Sequence, residues 1–199
     1  MYKAYKFRLY PNDSQRVLIH KTFGCVRFVY NYFLDKCKKN GYIKAYDMCK
    51  ELKKLQEEYL FLKEVDNCGL RCSIFNLEDS YKNFFAKRSG YPCFKNKFCK
   101  QSYRTNCIRS IYKGTNYSNI AIFKKDNQIK LPKLGLVNIK GYRNLDSING
   151  KIINATIERE CTGKYYVSVI VEETEIVKIK KTPTSIVGID LGVKDLVIT

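Results

Sequence analysis

The sequence predicts an α+β chain in which a helical segment is inserted into a β domain. Three features point that way. Apolar residues recur at helical spacing from Leu18 to Phe84, then switch after Gly90-Tyr-Pro92 to short alternating stretches of period two. The opening residues read as one isolated strand, too short to be a sheet alone, so it should pair with the later β region. The C-terminal stretch Ser185–Thr199 reads as an apolar strand, a tight glycine turn and a second strand.

In the opening, Tyr5, Phe7 and Leu9 fall on one face and Lys6 and Arg8 on the other. Pro11-Asn-Asp-Ser14 then stops the strand and caps a helix. Leu18, Thr22, Cys25, Val26, Val29 and Phe33 form the stripe of that helix, leaving Gln15, Arg27 and Asn31 partly available outside it. A second helix is expected over Ala45–Leu62, with Leu52, Leu55 and Tyr59 inward. A third runs from about Leu70 to Lys87 with Ile74, Leu77, Tyr81 and Phe84 as its stripe, and both Phe84 and Phe85 are expected in the core. Beyond Pro92, Ile120–Phe123 and Ile129–Leu131 bracket a hairpin turn at Asp126-Asn127, and Lys151–Glu160 and Lys164–Glu172 bracket another at Cys161-Thr-Gly163. Several such strands imply a small barrel or sandwich. Glu173–Thr184, with its charges and Pro183, reads as a linker.

Charge narrows the function. The chain carries 37 Lys plus Arg against 19 Asp plus Glu, a formal net charge of +18, which calls for a polyanionic partner, nucleic acid before a membrane surface. The excess is localised: residues 80–145 hold fifteen basic residues and one acid, Asp126. From Ser80 to Lys125 there is no acid, and ten aromatics alternate with eleven basic residues, a composition suited to phosphate contact and base stacking. No stretch resembles a signal peptide or a membrane span, so a cytoplasmic location is expected. Nine cysteines, an odd number, argue against a disulfide framework. Neither Cys68-x3-Cys72 nor Cys93-x5-Cys99 has zinc-knuckle spacing, and the single histidine, His20, lies far upstream, so zinc is not expected.

Asp190 ends the first strand of the C-terminal stretch, the position from which an RNase H-like nuclease presents its first metal-binding carboxylate. Two-metal phosphodiester cleavage needs several acids converging on ions about 3.5–4 Å apart. Only nine residues follow Asp190, so those partners are missing from the sequence and a binding half without its own cleavage chemistry is expected.

Five segments together resemble the TnpB (OrfB) proteins of insertion sequences, RNA-guided nucleases related to type V CRISPR effectors. They are Tyr5-Lys-Phe-Arg-Leu-Tyr-Pro11 followed by Gln15; Val29-Tyr-Asn31; Gly90-Tyr-Pro-Cys-Phe-Lys95 with Gln101-Ser-Tyr-Arg-Thr105; Lys130-Leu-Pro-Lys-Leu-Gly135; and Val187-Gly-Ile-Asp-Leu-Gly-Val-Lys194. The resemblance implies a wedge-like, OB-like β-barrel from residues 1–10 plus 106–182. It further implies a helical, helix-turn-helix-like recognition lobe over 11–105 and the start of a truncated RuvC nuclease domain over 183–199. It implies guide RNA and target DNA as partners, with neither a membrane nor a small-molecule substrate. Asp190 would be the first catalytic, Mg²⁺-binding ligand of full-length relatives, while this chain alone is expected to hold no cofactor. Residue type and position within or beside these segments nominate Arg8, Gln15, Arg27, Asn31, Asn76, Lys82, Lys87, Arg88, Lys95, Lys97, Arg104 and Lys133 for nucleic-acid contact.

Three other readings compete. Gly188-x-Asp190-x-Gly192 is similar to the phosphate-binding turn of actin-like and sugar-kinase ATPases, but Val193-Lys194 follow where Thr or Ser is usual. Residues 12–88 could be the helix-turn-helix module of a DNA-binding regulator without catalysis. The chain could also be a nonfunctional remnant of a disrupted transposon gene.

Overall fold

The computed structural model describes residues 1–98, 100–112, 115–141, 145, 148 and 150–173. Strand β1 (Tyr2–Tyr10) leads into helices α1 (Asp13–Asn40), α2 (Ala45–Glu58) and α3 (Asn67–Phe85), with a 3-10 turn at Leu60–Lys63 between the last two. Among the described residues eight strands follow: β2 (Gln101–Asn106), β3 (Arg109–Tyr112), β4 (Thr115–Ser118), β5 (Ala121–Phe123), β6 (Gln128–Leu131), β7 (Gly135–Lys140), β8 (Lys151–Arg159) and β9 (Tyr165–Glu172).

Seven strands form one antiparallel sheet in the order β2-β8-β9-β1-β7-β6-β5, and β3 and β4 form a separate two-stranded ribbon. The opening strand therefore lies inside the sheet, between β9 and β7. The helices are an insertion, as expected: the chain leaves the sheet after an interior strand and returns at its edge. The return is earlier than the expected boundary after residue 105, because residues 101–105 make up most of β2. Only Tyr103 and Thr105 turn inward there, and two buried positions in a polar hexapeptide give too short an alternation to read as a strand. The sheet order is linear, and no pairing among the described residues joins β2 to β5, so the barrel expected from sequence is not closed by hydrogen bonds there.

Local chemistry sets the helix ends. Asn12 caps α1 by accepting from the Gln15 backbone N–H at 2.8 Å while the Gln15 side chain accepts from the Asn12 N–H at 3.0 Å, a reciprocal capping box. At the other end Gly41 takes φ 84°, a conformation costly for residues with a Cβ. In the α1 stripe Thr22, Cys25, Val26, Val29 and Phe33 are buried as expected, Leu18 is only half-buried, and Ile19, Phe23, Tyr30 and Leu34 widen the buried face. Helix α2 buries Ala45, Met48, Leu52 and Leu55 and stops at Glu58, short of the expected Leu62, which is buried instead from the 3-10 turn. Lys44 supplies no side-chain cap. Glu78 of α3 takes that place, accepting the Ala45 N–H at 3.0 Å. Phe85 is 59% exposed, so of the two rings expected in the core only Phe84 is even half-buried.

A single hydrophobic cluster unites the two lobes, from Ile19, Phe23 and Leu77 on the helices to Phe7, Ile157 and Val169 on the sheet. Phe23 of α1 meets Tyr103 of β2 edge-on with centroids 5.8 Å apart. Gly141, just past β7, lies so close to the core that a Cβ there would sit 2.3 Å from Phe7 Cδ1. Among the described residues no helix is long and apolar enough to cross a membrane. Asp190, the expected nuclease segment 183–199, the linker from residue 174 and Cys99 lie outside the described residues.

Candidate nucleic-acid interface

Where the helical insertion meets the returning edge of the sheet, a cavity of about 550 Å³ opens between α1, α3, the 93–96 loop and β2. Four of the nominated residues line it: Arg27 from α1, Asn76 from α3, Lys95 from the loop and Arg104 from β2. Their convergence follows from the topology. The insertion ends in Gly90-Tyr-Pro92, whose Pro92 is buried, and the chain then runs back along α1, with Phe94 at Lys38, Lys95 at Asn31 and Gln101 at Arg27, to reach β2.

Asn31 fixes the cavity wall. Its side-chain amide donates to the Lys95 carbonyl at 2.8 Å and its carbonyl accepts the Lys95 N–H at 2.8 Å, as a paired strand would. The Lys95 ammonium then lies 4.0 Å from the centre of the Tyr30 ring. Arg27 donates to Gln101 Oε1 at 3.2 Å, and Gln101 donates to the Lys97 carbonyl at 3.0 Å, which ties the loop to the start of β2. Asn31 and Gln101 thus build the wall, whereas Asn31 was nominated for direct contact. Arg104 Nε is buried without a hydrogen-bond partner among the described residues, as are Thr105 Oγ1 and Asp66 Oδ2 close by on the α3–β2 seam. A buried donor left unpaired costs about 1–3 kcal/mol.

Behind this seam Cys68 and Cys72 stand one turn apart on α3. The Cys68 thiol is held below its ordinary pKa, first by a hydrogen bond from Cys72 and then by the Asn106 backbone N–H, which donates to its Sγ at 3.2 Å. Cys72 is raised by that same bond and by burial. The eight cysteines among the described residues are free thiols, and no three His, Cys, Asp or Glu side chains converge there as metal ligands.

The remaining nominated residues do not reach the cavity. Gln15 is consumed by structure: besides its capping role, its amide donates to the Leu134 and Leu136 carbonyls at 3.1 and 2.8 Å, clipping the start of α1 to the turn before β7. Lys82 pairs with Glu78 at 2.7 Å, and that carboxyl is held below the usual range by Lys82 and by the Ala45 N–H. Lys87 and Arg88 lie exposed beyond α3, with Lys87 at φ 56°. Lys97 stands over the exposed Phe98 ring at 5.2 Å. Lys133 occupies the β6–β7 turn at φ 64°, a left-handed conformation uncommon for a residue with a Cβ. Arg8 lies on the outward face of β1.

The structure adds residues that sequence alone did not nominate. Lys100 lines the cavity and pairs with Glu158 at 2.9 Å, and Lys38, at the end of α1, stands 4.3 Å from the Phe94 ring centre. Their basic character was visible, but their position depends on a strand and a loop with no strong local pattern. His20 bridges α1 to the sheet, with Nε2 2.7 Å from the Tyr165 hydroxyl; its pKa is lowered by partial burial and then by Arg159.

A family model described as a helix-turn-helix domain (OrfB, IS605) matches residues 1–42. In the structure that span holds β1 and one uninterrupted helix, and the first helix-to-helix connection comes at residues 41–44. A Streptomyces pristinaespiralis protein named "Putative RNA-guided DNA endonuclease" is 31% identical over 204 residues, covering 98% of this chain and 47% of the relative. The InsQ protein of Escherichia coli (strain K12), named in the same words, is 31% identical over 201 residues, with 98% of this chain and 46% of the relative covered. The chain belongs to the TnpB (OrfB) family. It spans about half the length of those two TnpB-like relatives. The virulence protein VsdF of Salmonella dublin is 30% identical over 117 residues, which cover 50% of this chain and 98% of VsdF.

Proposed function

We propose that this chain is the nucleic-acid-binding portion of an RNA-guided DNA endonuclease, gripping guide RNA and target DNA in the groove between its helical insertion and its sheet. One observation carries the reading: four cations from three segments, Arg27 of α1, Lys95 and Lys100 of the loop before β2, and Arg104 of β2, surround one cavity in a protein of net charge +18. Such a site suits a division of labour in which base pairing reads sequence and the protein holds the backbone. The proposal takes the sheet as a wedge-like domain and the helices as a recognition lobe. It keeps Asp190 as the first Mg²⁺ ligand of a RuvC-type domain. The function proposed for the described residues is binding.

The test is a salt titration of the purified chain against a structured RNA, a single-stranded DNA and a DNA duplex. Affinity should fall steeply as salt rises from about 50 to 200 mM, because each phosphate contact releases counterions. An affinity independent of salt, or no binding at all, overturns the proposal. The helix-turn-helix description also permits a DNA-binding regulator. That reading gains if the duplex alone is bound tightly and structured RNA is not.

A further inference from the structure

We infer that the outer face of the sheet carries a second anion site, built from Arg8 and Lys140, that holds a backbone phosphate of the nucleic acid leaving the interlobe groove. The inference rests on the nucleic-acid reading above for the identity of its ligand. Its location comes from strand register.

Alternation along β1 buries Tyr5, Phe7 and Leu9 and turns Lys6, Arg8 and Tyr10 outward. Arg8 is directly opposite Lys140 on β7 and directly opposite Tyr166 on β9. Like charges placed directly opposite on neighbouring strands destabilise a sheet. Carboxylates could relieve this pair, but those nearby serve another cation: Glu158 and Glu160 lie 2.6 and 3.3 Å from the Lys6 ammonium. Among the described residues no carboxylate pairs with Arg8 or Lys140.

The surroundings form a bed rather than a bare surface. The Arg8 guanidinium lies 4.9 Å from the centre of the Tyr10 ring, and the Lys6 ammonium 4.5 Å from that of Tyr166. These four residues, with Lys140 and Gly141, line an open cavity of about 420 Å³. Gly141 keeps the end of β7 pressed against Phe7, which holds Lys140 beside Arg8. An anion seated between the two cations turns their repulsion into attraction, and a guanidinium presents the paired donors that suit a phosphate.

Register also links this bed to the groove. One cross-strand row runs Ser102, Glu158, Tyr166, Arg8, Lys140 over five strands. Ser102 lines the interlobe cavity, so the second site lies about 19 Å along the sheet from it, four strand spacings of about 4.8 Å. The acid on that path, Glu158, is neutralised by Lys6 and by Lys100 at 2.6 and 2.9 Å. A phosphodiester chain can follow the row without meeting an unpaired carboxylate among the described residues.

The experiment compares the full chain with Lys140→Ala, Arg8→Gln, the groove variant Arg27→Glu and the control Lys50→Ala, measuring melting without ligand and salt-dependent affinity for a structured RNA. Lys140→Ala should melt no lower than the wild type because it relieves repulsion. It should bind about tenfold more weakly at low salt, with the log–log salt slope reduced by about one. Arg8→Gln should weaken binding likewise, while Lys50→Ala matches the wild type. If Arg27→Glu weakens binding but Lys140→Ala and Arg8→Gln do not, the outer site is refuted and the groove stands. If Lys140→Ala weakens binding with an unchanged slope, the side chain acts through structure and the phosphate assignment fails. If the wild type binds no nucleic acid, both proposals fall.

Discussion

On the outside of the helical insertion cations meet carboxylates, whereas around the groove and across the sheet they meet aromatic rings. Lys39 pairs with Asp35 at 2.7 Å, Lys50 with Asp47 at 2.9 Å and Lys82 with Glu78 at 2.7 Å, and Lys36 pairs with Glu51. By contrast, Lys38 faces Phe94 at 4.3 Å, and Arg8 and Lys130 face Tyr10 and Tyr117, each at 4.9 Å. A carboxylate cancels the charge it holds. A ring restrains a cation through its quadrupole and leaves the positive charge for a partner. Lys6 and Lys100, which share Glu158, and Lys3, which pairs with Glu173 at 3.4 Å and also lies 5.5 Å from the centre of the Tyr5 ring, stand between the two regimes. Net charge alone is therefore a poor map of a binding surface, and what each cation rests on is a better one.

The strongest way to break this contrast is to reverse charges in each set. Arg27→Glu with Lys95→Glu should weaken binding to structured RNA by at least roughly 10- to 100-fold at low salt. Lys36→Glu with Lys50→Glu should change it by only about twofold, because those charges are already neutralised. Equal losses in the two double variants, read by filter binding, would dissolve the distinction.

A smaller effect is expected from the residue that positions the ring-facing Lys95. Asn31→Ala removes both hydrogen bonds to the Lys95 backbone and should destabilise the chain by about 1–3 kcal/mol. Hydrogen exchange at the Lys95 amide should accelerate more than exchange along β8. Protection unchanged at Lys95 would show that the loop is held by other contacts.

The smallest effect concerns the carboxylate-paired set and has a defined sign. Glu78 is held below the ordinary carboxylate range by Lys82 and by the Ala45 N–H, and Glu158 by Lys6 and Lys100. Their contribution to stability is fully present above the unfolded carboxylate value of about 4.3 and is lost as pH falls through the lower folded values. The melting temperature should therefore drop on acidification through that window, and Glu78→Gln should flatten the drop. An unaltered profile in Glu78→Gln would remove Glu78 from the paired set.

Much of the architecture was legible because it is written in short-range patterns. The β1 alternation, the Asn12–Gln15 start of α1 and the two hairpins at Asp126-Asn127 and Cys161-Thr-Gly163 are decided by neighbours a few residues apart. The insertion topology followed from a strand with no local partner. What could not be read depends on distant partners: Asn31 finds Lys95 64 positions away, and Gln15 finds Leu134 and Leu136 at 119 and 121. Each has the amide expected of a base-reading residue, and each spends it on the backbone. Strand β2 escaped notice because its partner is β8, some fifty residues later, and because most of its residues are polar. The Arg8–Lys140 pair was equally hidden, since only register places the two side by side.

The position of β1 inside the sheet has a consequence for the nascent chain. This nine-residue strand leaves the ribosome well before its neighbours β7 and β9, which begin at Gly135 and Tyr165. At translation speeds of about 5–20 residues per second, the apolar face of Tyr5, Phe7 and Leu9 waits roughly 6 to 25 seconds for β7 to be synthesised. The three helices emerge within that interval and can shelter it. Slowed elongation between the codons for Phe85 and Gly135 should thus raise the yield of misassembled product, and a chaperone that masks extended apolar segments should restore it.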